Sequence, residues 1–298
     1  MSAPSIFDYE LPLPDTGLTK QGASLLGFAD RYSRIHRQLQ LLLKIDEIKS
    51  WSKTHHKVAL PLCDLVTEQY PLVVFCGDVG TGKTATAEAV ANQLVKDSKT
   101  EDSILFKLSN RVRGAGKVGE MGTLLTEAFR RIIESAGKSR RAILIIDEGD
   151  SLAASRSQEH SHHEDKVAVN TLIQNIDSLR KHGGRIVTIL CTNRLSAVDA
   201  ALRRRASIVE EFLRPSAAER KQLFEMDLAG LGLSPGQMEK LAELTGERGT
   251  SPPWTYSDIR TRLYPAALAQ AFPDRPLTFE DLCNAASSMS ATPAVIDK

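Results

Sequence analysis

The sequence is poor in cysteine, in aromatic residues and in net charge, and these shortages narrow the possible functions. Its 4 cysteines are scattered without a C-x-x-C pair, which favours reduced thiols over a disulfide framework. A net charge of +1 provides no global field for nucleic acid or an anionic membrane. No apolar run approaches ~20 residues, so no membrane span is predicted. Residues 1–10 lack the features of a secretory signal, and we expect a cytoplasmic protein.

A phosphate-binding pattern organises the chain of 298 residues. An apolar run at 71–76 predicts a buried strand, helix formers occupy 85–91, and a G-x-x-x-x-G-K-T pattern lies between them. Its glycines let the backbone aim N–H groups at phosphate oxygens, where the helix N-terminus adds positive charge. These flanks disfavour the alternative of a chance glycine turn. We expect ATP to contact Gly77, Asp78, Val79, Gly80, Thr81, Gly82, Lys83, Thr84 and Ala85. Lys83 would reach the outer phosphates, and the Thr84 hydroxyl would be a Mg²⁺ ligand.

Predicted strands alternate with predicted helices over most of the chain. The strands are expected at 71–76, 103–108, 141–148 and 185–191. This alternation favours an α/β fold with a doubly wound parallel sheet, followed by a small α-helical lid domain. Ligands of such sheets bind at the carboxyl ends of the strands. The predicted boundaries are an extended N-terminal arm over 1–24, the α/β domain over 25–214, the lid over 215–287 and a flexible tail over 288–298.

The segments outside these strands carry their own signals. Proline and glycine predict that residues 1–19 lack regular structure, hydrophobic spacing predicts one helix over 25–48, and 51–56 resembles a polar turn. Helices are expected in the lid at 217–229, 234–244, 256–271 and 278–287. Their caps or early-turn residues are Ser216, Ser234, Ser257 and Thr278.

Polar residues follow two of the predicted strands at the phosphate side of the sheet. Asp147 is expected to hold Mg²⁺, and Glu148 to polarise the water that attacks the γ-phosphate. A strand-end Asp-Glu pair alone could be a helix cap, but the phosphate loop favours the catalytic interpretation. Asn193 follows the next strand and can orient the same water, although in isolation it would be interpreted as a turn residue.

Three adjacent arginines, Arg203, Arg204 and Arg205, lie near a predicted helix end. Such a cluster is usually solvated charge or a complement to the helix dipole. Alternatively, these three arginines could supply an arginine finger to the nucleotide of a neighbouring subunit, which requires a ring. The sequence leaves open which of them is the finger, and Arg204 and Arg205 are the candidates for a catalytic role.

The order of phosphate loop, Ile-Asp-Glu, Thr-Asn-Arg, arginine cluster and helical lid resembles an AAA+ ATPase. The segments 150–156 and 169–177 are similar to those of the pachytene-checkpoint group, the remodellers of HORMA-domain proteins. The resemblance implies ATP and Mg²⁺ as cofactors and a homo-hexameric ring that draws a HORMA protein into its pore and opens its partner-bound state. Bacterial members resemble regulators of antiphage operons, in which HORMA proteins activate a cyclic-oligonucleotide synthase.

The sequence departs from this family in three places. Only about 70 residues precede the phosphate loop, which suits a compact bacterial member without a separate substrate-binding domain. The pore-loop positions are Lys117, Val118 and Gly119, none of them aromatic. The lid's sensor arginine matches near Ser257, with Arg260 and Arg262 only nearby.

Two other functions compete with protein remodelling. A nucleic-acid motor or loader would explain Arg111, Arg113 and Lys117, but the neutral chain and the lack of interleaved aromatics count against it. A non-catalytic nucleotide switch is disfavoured by the presence of both Asp147 and Glu148.

The cluster His160, His162 and His163 with Glu164 suggests a second pore loop rather than a metal site, because its spacing is poor for a closed site.

Overall fold

The structure is a computed structural model that describes residues 6–98, 102–113, 120–153 and 163–295. Its sheet has six strands in the order β1-β3-β4-β5-β2-β6. The strands are β1 Phe7–Leu13, β2 Leu72–Gly77, β3 Ser103–Leu108, β4 Arg141–Ile146, β5 Ile186–Thr192 and β6 Ile208–Phe212. The chain forms two compact units. The first unit comprises the described residues of Met1–Cys76 and Thr84–Glu211, and the second comprises those of Gly77–Lys83 and Phe212–Ile296.

Strands β2, β3, β4 and β5 are parallel neighbours, which confirms the predicted α/β fold. β5 is buried at every position, as expected for a strand that is covered on both faces. The helices of the first unit pack around this sheet. They are α1 Thr16–Ser24, α2 Phe28–Leu43, α3 Ile45–His56, α4 Pro61–Thr67, α5 Lys83–Ser98, α6 Glu120–Ala136, α7 Gly149–Leu152, α8 His163–Leu179 and α9 Ala200–Arg205.

The prediction that residues 1–19 lack regular structure is wrong for residues 7–19, most of which lie in β1 and α1. β1 pairs antiparallel with β3 at the edge of the sheet, and α1 begins three residues after β1 ends. Phe7 and Leu13 are buried, and the Phe7 ring lies 4.9 Å from that of Phe106. Pro12 is tolerated because an edge strand leaves one row of backbone groups unpaired. Apolar burial therefore orders this segment despite its prolines.

Two further predictions need correction. The single helix expected over 25–48 is interrupted at Lys44, and the turn expected over 51–56 is the second half of α3. There the Trp51 ring contacts His55 and His56 across one helical turn, at centroid distances of 5.7 and 5.2 Å. β6 was not predicted. It is a short edge strand with Ile208 and Phe212 buried and Val209 exposed.

The helical segments of the second unit match the prediction closely. They are α10 Ala217–Asp227, α11 Pro235–Leu244, a π-helical turn Asp258–Leu263, α12 Tyr264–Ala271 and α13 Phe279–Ser288. Ser216, Ser234 and Thr278 each form a capping box, whereas Ser257 makes no side-chain capping bond. The flexible tail predicted from 288 is wrong for residues 289–295, because the Thr292 hydroxyl donates to Asp258 at 2.6 Å and Val295 N donates to Asp78 at 3.1 Å. In the described part of the chain, no helix has the length and apolarity of a membrane span.

Candidate nucleotide site

Residues 77–83 of the phosphate loop belong to the second unit, and the loop lysine binds two carbonyls of this segment. The Lys83 ammonium is 7% exposed and donates to the carbonyls of Gly77 and Asp78 at 2.9 and 2.8 Å. Thr81 Oγ1 donates to Asp78 O at 2.7 Å. These bonds hold the loop as a tight ring of backbone, the geometry from which N–H groups can surround a phosphate.

Two of the loop glycines cannot be replaced without a clash. Gly77 has φ +139°, and an added Cβ would lie 2.1 Å from Phe212 O. Gly80 has φ +77°, and its Cβ would lie 2.6 Å from Thr255 Oγ1. Both positions need the conformational range and the close approach that only glycine allows.

The Asp78 carboxylate connects this loop to other residues of the second unit by hydrogen bonds. Arg214 Nε donates to its Oδ2 at 2.6 Å, and the same guanidinium reaches the carbonyls of Pro253 and Thr292 at 2.7 and 2.8 Å. Both side chains of this ion pair are nearly buried, with exposures of 9% and 14%. Sequence reasoning missed Arg214, because nothing in the local sequence distinguishes it from a surface arginine before a proline.

The two predicted Mg²⁺ ligands lie together in the first unit. Thr84 stands in the first turn of α5 and Asp147 directly after β4, and Thr84 Oγ1 donates to Asp147 Oδ2 at 2.9 Å. A hydroxyl and a carboxylate that converge in this way are hard oxygen ligands, which suit Mg²⁺. Lys83 immediately precedes Thr84 in the chain.

Glu148 has a distinct backbone conformation next to Asp147. Its φ is +50°, its N–H donates to Asp147 Oδ1 at 2.9 Å, and its carboxylate is exposed. Asn110 Nδ2 donates to Glu148 Oε2 at 3.0 Å. Left-handed backbone at a non-glycine residue is uncommon and often occurs at functional sites. The sequence did not single out Asn110, because nothing local indicates that it lies beside Glu148.

Asn193 lies at the same end of the sheet. β4 and β5 are parallel with Ile146 opposite Leu190, so the residues that follow both strands emerge on one edge. Asn193 N donates weakly to Asp150 Oδ1 at 3.4 Å, and its side chain is half-buried. The structure therefore brings Asn193, Asp147 and Glu148 to one edge of the first unit.

The three arginines of α9 differ in their environment. Arg205 makes a bidentate ion pair with Asp177, at 2.5 Å for Nε–Oδ1 and 2.9 Å for Nη2–Oδ2, and lies over the Tyr70 ring at 5.1 Å. The hydrogen bond to Asp177 raises the pKa of Arg205, so its charge is permanent. Arg203 and Arg204 are exposed, and neither has an ion pair with a described residue.

Comparison with known proteins decides the family. The family model described as "ATPase family associated with various cellular activities (AAA)" matches residues 73–214. CD-NTase-associated protein 6 of Escherichia coli (strain KTE188) is 64% identical over 297 residues and spans 100% of both chains. The chain belongs to the CD-NTase-associated protein 6 family of AAA ATPases. The predicted AAA+ resemblance is thereby confirmed.

Solved structures agree with this assignment. A chain of the E. coli MS115-1 HORMA:CdnC:Trip13 complex is 36% identical and has a TM-score of 0.91, with 98% of this chain and 99% of that chain covered. Rhizobiales Trip13 is 29% identical with a TM-score of 0.73, over 96% and 99% of the two chains. The fold of this AAA ATPase therefore extends over nearly the whole chain, including the second unit.

The structure adds nothing to some of the roles that the sequence predicts for this AAA ATPase, and it assigns local partners to others. The pore-loop residues Lys117, Val118 and Gly119 lie outside the described residues, as do His160 and His162. In the second unit, Arg260 binds Asp227 at 2.7 Å and Arg262 binds Asp258 at 2.9 Å. Both arginines that the sequence leaves as sensor candidates are thus engaged in ion pairs within their own unit.

Proposed function

We propose that this chain hydrolyses ATP with Mg²⁺ and uses the reaction to remodel a HORMA-domain protein in the cytoplasm. Membership in the AAA ATPases supports the hydrolysis. One observation carries the choice of substrate, namely the TM-score of 0.91, over 98% of the chain, to a chain of a complex that contains HORMA, CdnC and Trip13. A nucleic-acid partner is not expected, because the net charge is only +1.

Each polar group of the site has a proposed task in hydrolysis. The loop N–H groups and Lys83 hold the phosphates, and Thr84 and Asp147 hold Mg²⁺. When bound, the metal ion neutralises charge that develops on the phosphate oxygens. Glu148 accepts a proton from the attacking water, and Asn193 orients that water. The Glu148 carboxylate follows directly after Asp147 and accepts a hydrogen bond from Asn110 at 3.0 Å, which supports its role as the base.

We place the arginine finger at Arg204. A finger has to reach the nucleotide of a neighbouring subunit, so its guanidinium cannot be held within its own chain. Arg205 is held by Asp177, whereas Arg204 is exposed at the end of α9. This role requires a ring, and we propose a homo-hexamer.

In this proposal the ring draws the end of the HORMA protein into its pore and opens its partner-bound state. The protein would thereby switch off a cyclic-oligonucleotide synthase that the HORMA protein activates, as part of an antiphage system. Lys117 would contact the HORMA chain through its long aliphatic stem, because no aromatic residue stands at the pore-loop positions.

Phosphate release by the purified protein tests this function. The rate is measured for the protein alone, with a HORMA-domain protein encoded beside it, and with DNA. We expect stimulation by the HORMA protein and none by DNA. Lys83→Ala should abolish turnover, whereas Lys138→Ala, at an exposed position in the first unit, should leave it unchanged. Stimulation by DNA alone would overturn the choice of substrate while leaving the ATPase chemistry intact.

A further inference from the structure

A chain of polar contacts connects β1 and α1 to the metal ligand Asp147 within the first unit. Tyr9 Oη donates to Glu88 Oε1 at 2.6 Å, and Gln21 Nε2 donates to Glu88 Oε2 at 2.8 Å. The Lys107 ammonium lies 3.7 Å from Glu88 Oε1 and 3.6 Å from Asp147 Oδ2. We call Tyr9, Gln21, Glu88 and Lys107 the Glu88 cluster. The function proposed above assigns no role to any of its members.

Lys107 lies between two carboxylates that would otherwise repel each other. Glu88 follows Thr84 by one turn of α5, so its charge lies close to the Thr84–Asp147 pair. The side chains of Lys107, Glu88 and Asp147 are mostly buried, with exposures of 20%, 14% and 27%. Charges interact strongly in such an environment, because little water is present to screen them.

The distances indicate an electrostatic contact rather than a hydrogen bond to Asp147. At 3.6 Å, Lys107 Nζ exceeds the usual N–H···O distance. Asp147 instead accepts short hydrogen bonds from Thr84 Oγ1 and from Glu148 N, at 2.9 Å each. Lys107 therefore places a positive charge beside the Asp147 carboxylate without a hydrogen bond to it, and this charge opposes a metal ion at the same carboxylate.

Glu88 attracts the Lys107 ammonium about as closely as Asp147 does, so the positive charge lies between the two carboxylates. Tyr9 and Gln21 each bind one oxygen of Glu88, which limits how far Lys107 moves toward Glu88. Burial and the hydrogen bond to Glu88 raise the pKa of Tyr9 well above its usual value, so its hydroxyl remains a donor. Lys107 also lies over the Tyr9 ring, 5.9 Å from its centroid.

We propose that Lys107 is a positioning residue that sets the Mg²⁺ affinity of the Thr84–Asp147 pair, and that β1 and α1 adjust its position through Glu88. The inference rests on the proposed ATPase function and adds a regulatory input from the first 24 residues. Its central feature is a charge balance: Glu88, Lys107 and Asp147 together carry a charge of −1.

This balance predicts opposite effects for two substitutions. Lys107→Met leaves two negative charges, so we expect Mg²⁺ to bind more tightly, on the order of tenfold. Glu88→Gln leaves the ammonium to neutralise Asp147 alone, so Mg²⁺ should bind more weakly by a similar factor. The double variant restores a charge of −1 and should approach the wild-type affinity, and Lys107→Arg should do the same.

The experiment measures metal binding and not turnover. MgCl₂ is titrated calorimetrically into the full-length protein saturated with a non-hydrolysable ATP analogue, for each variant and for Lys138→Met as a matched control. Thermal melting of each variant confirms that it is folded. Opposite shifts for Lys107→Met and Glu88→Gln, with recovery in the double variant, support the inference.

Two other outcomes contradict it. Equal losses of affinity in both single variants would show that the cluster only maintains the local structure, and unchanged affinities would show that Lys107 does not act on the metal. Either result leaves the proposed function standing, since the wild type still binds nucleotide. If the wild type binds neither the analogue nor Mg²⁺, the proposed function fails, and this inference fails with it.

Discussion

The side-chain amide of Asn110 donates a hydrogen bond to Glu148 Oε2 over 3.0 Å. Glu148 is an exposed residue on left-handed backbone. An exposed glutamate has three rotatable bonds, and the amide fixes one position among many. A base that is already oriented toward its water loses less entropy in the transition state. We therefore expect this bond to orient Glu148 for its proposed role as the base.

Asn110→Ala should lower the turnover number for ATP by roughly tenfold, because Glu148 loses its fixed orientation. The affinity for ATP should not change, since Asn110 lies outside the phosphate loop. Asn110→Asp should be more severe, because it places a second negative charge 3.0 Å from the carboxylate. Steady-state kinetics and equilibrium nucleotide binding separate the two parameters. An increase in turnover on removal of the amide would mean that Asn110 restrains Glu148 rather than orienting it.

Glu148→Gln should retain ATP but lose turnover by about 10²–10⁴-fold, the usual contribution of a general base. A double variant with Asn110→Ala then tests whether the two residues act as one unit. We expect no further loss in the double variant, because Asn110 has no carboxylate left to orient. Losses that multiply would assign Asn110 an independent task. Near wild-type turnover of Glu148→Gln would contradict its assignment as the base.

Short-range sequence patterns predict those parts of the site whose residues are close together in the chain. The phosphate loop and the strand-end pair Asp147-Glu148 were predicted because a turn, a helix start and an apolar strand are all short-range signals. Lys107, in β3, and Asn110, just after it, were not predicted. Their local sequence does not indicate that Asp147 and Glu148 lie beside them in the folded chain. Arg214 reaches Asp78 across 136 positions in the chain, so its contact exists only after folding.

The N-terminal segment also shows that local sequence patterns do not predict long-range contacts. Its prolines are a true signal against a central strand, but they do not exclude an edge strand. β1 forms because Phe7 and Leu13 become buried when β1 pairs with β3. This pairing joins segments that are far apart in the sequence. Likewise, residues 51–56 are polar in composition, yet the ring contacts of Trp51 with His55 and His56 support a helix there. A tertiary contact decided the first outcome, and contacts within one helix decided the second.

We expect Arg204 to be required for turnover and Arg205 to contribute to stability. Arg204→Ala is expected to abolish turnover without changing the melting temperature, because its side chain is exposed. Arg205→Ala and Asp177→Ala should each lower the melting temperature by a few degrees, since the bidentate pair is partly exposed and contributes modestly. In mixed rings, an Arg204→Ala subunit paired with Lys83→Ala should recover hydrolysis at its own intact loop. Absence of recovery would exclude action across a subunit boundary.

The buried carboxylate of Asp258 makes the second unit sensitive to acid. Asp258 is 1% exposed, and burial alone would raise its pKa; hydrogen bonds from Thr292 and Thr255 and the Arg262 guanidinium outweigh burial and lower it. A pKa that is lower in the folded state contributes stability above the unfolded value of about 3.9. That contribution is lost as the pH falls from about 4 through the folded pKa.

Thr292→Val removes the shortest of these hydrogen bonds, 2.6 Å to Asp258 Oδ1. The folded pKa should then be lowered less, so the variant should be less stable at neutral pH by about 1.5 kcal/mol. Its acid unfolding should also begin at a higher pH. Trp254 is buried in the second unit, and Trp51→Phe leaves it as the only tryptophan for fluorescence between pH 7 and 2. Thr261→Val removes an exposed hydroxyl from the same unit and should behave like the parent. Superimposable acid transitions for Thr292→Val and Thr261→Val would show that the tail residues do not stabilise ionised Asp258.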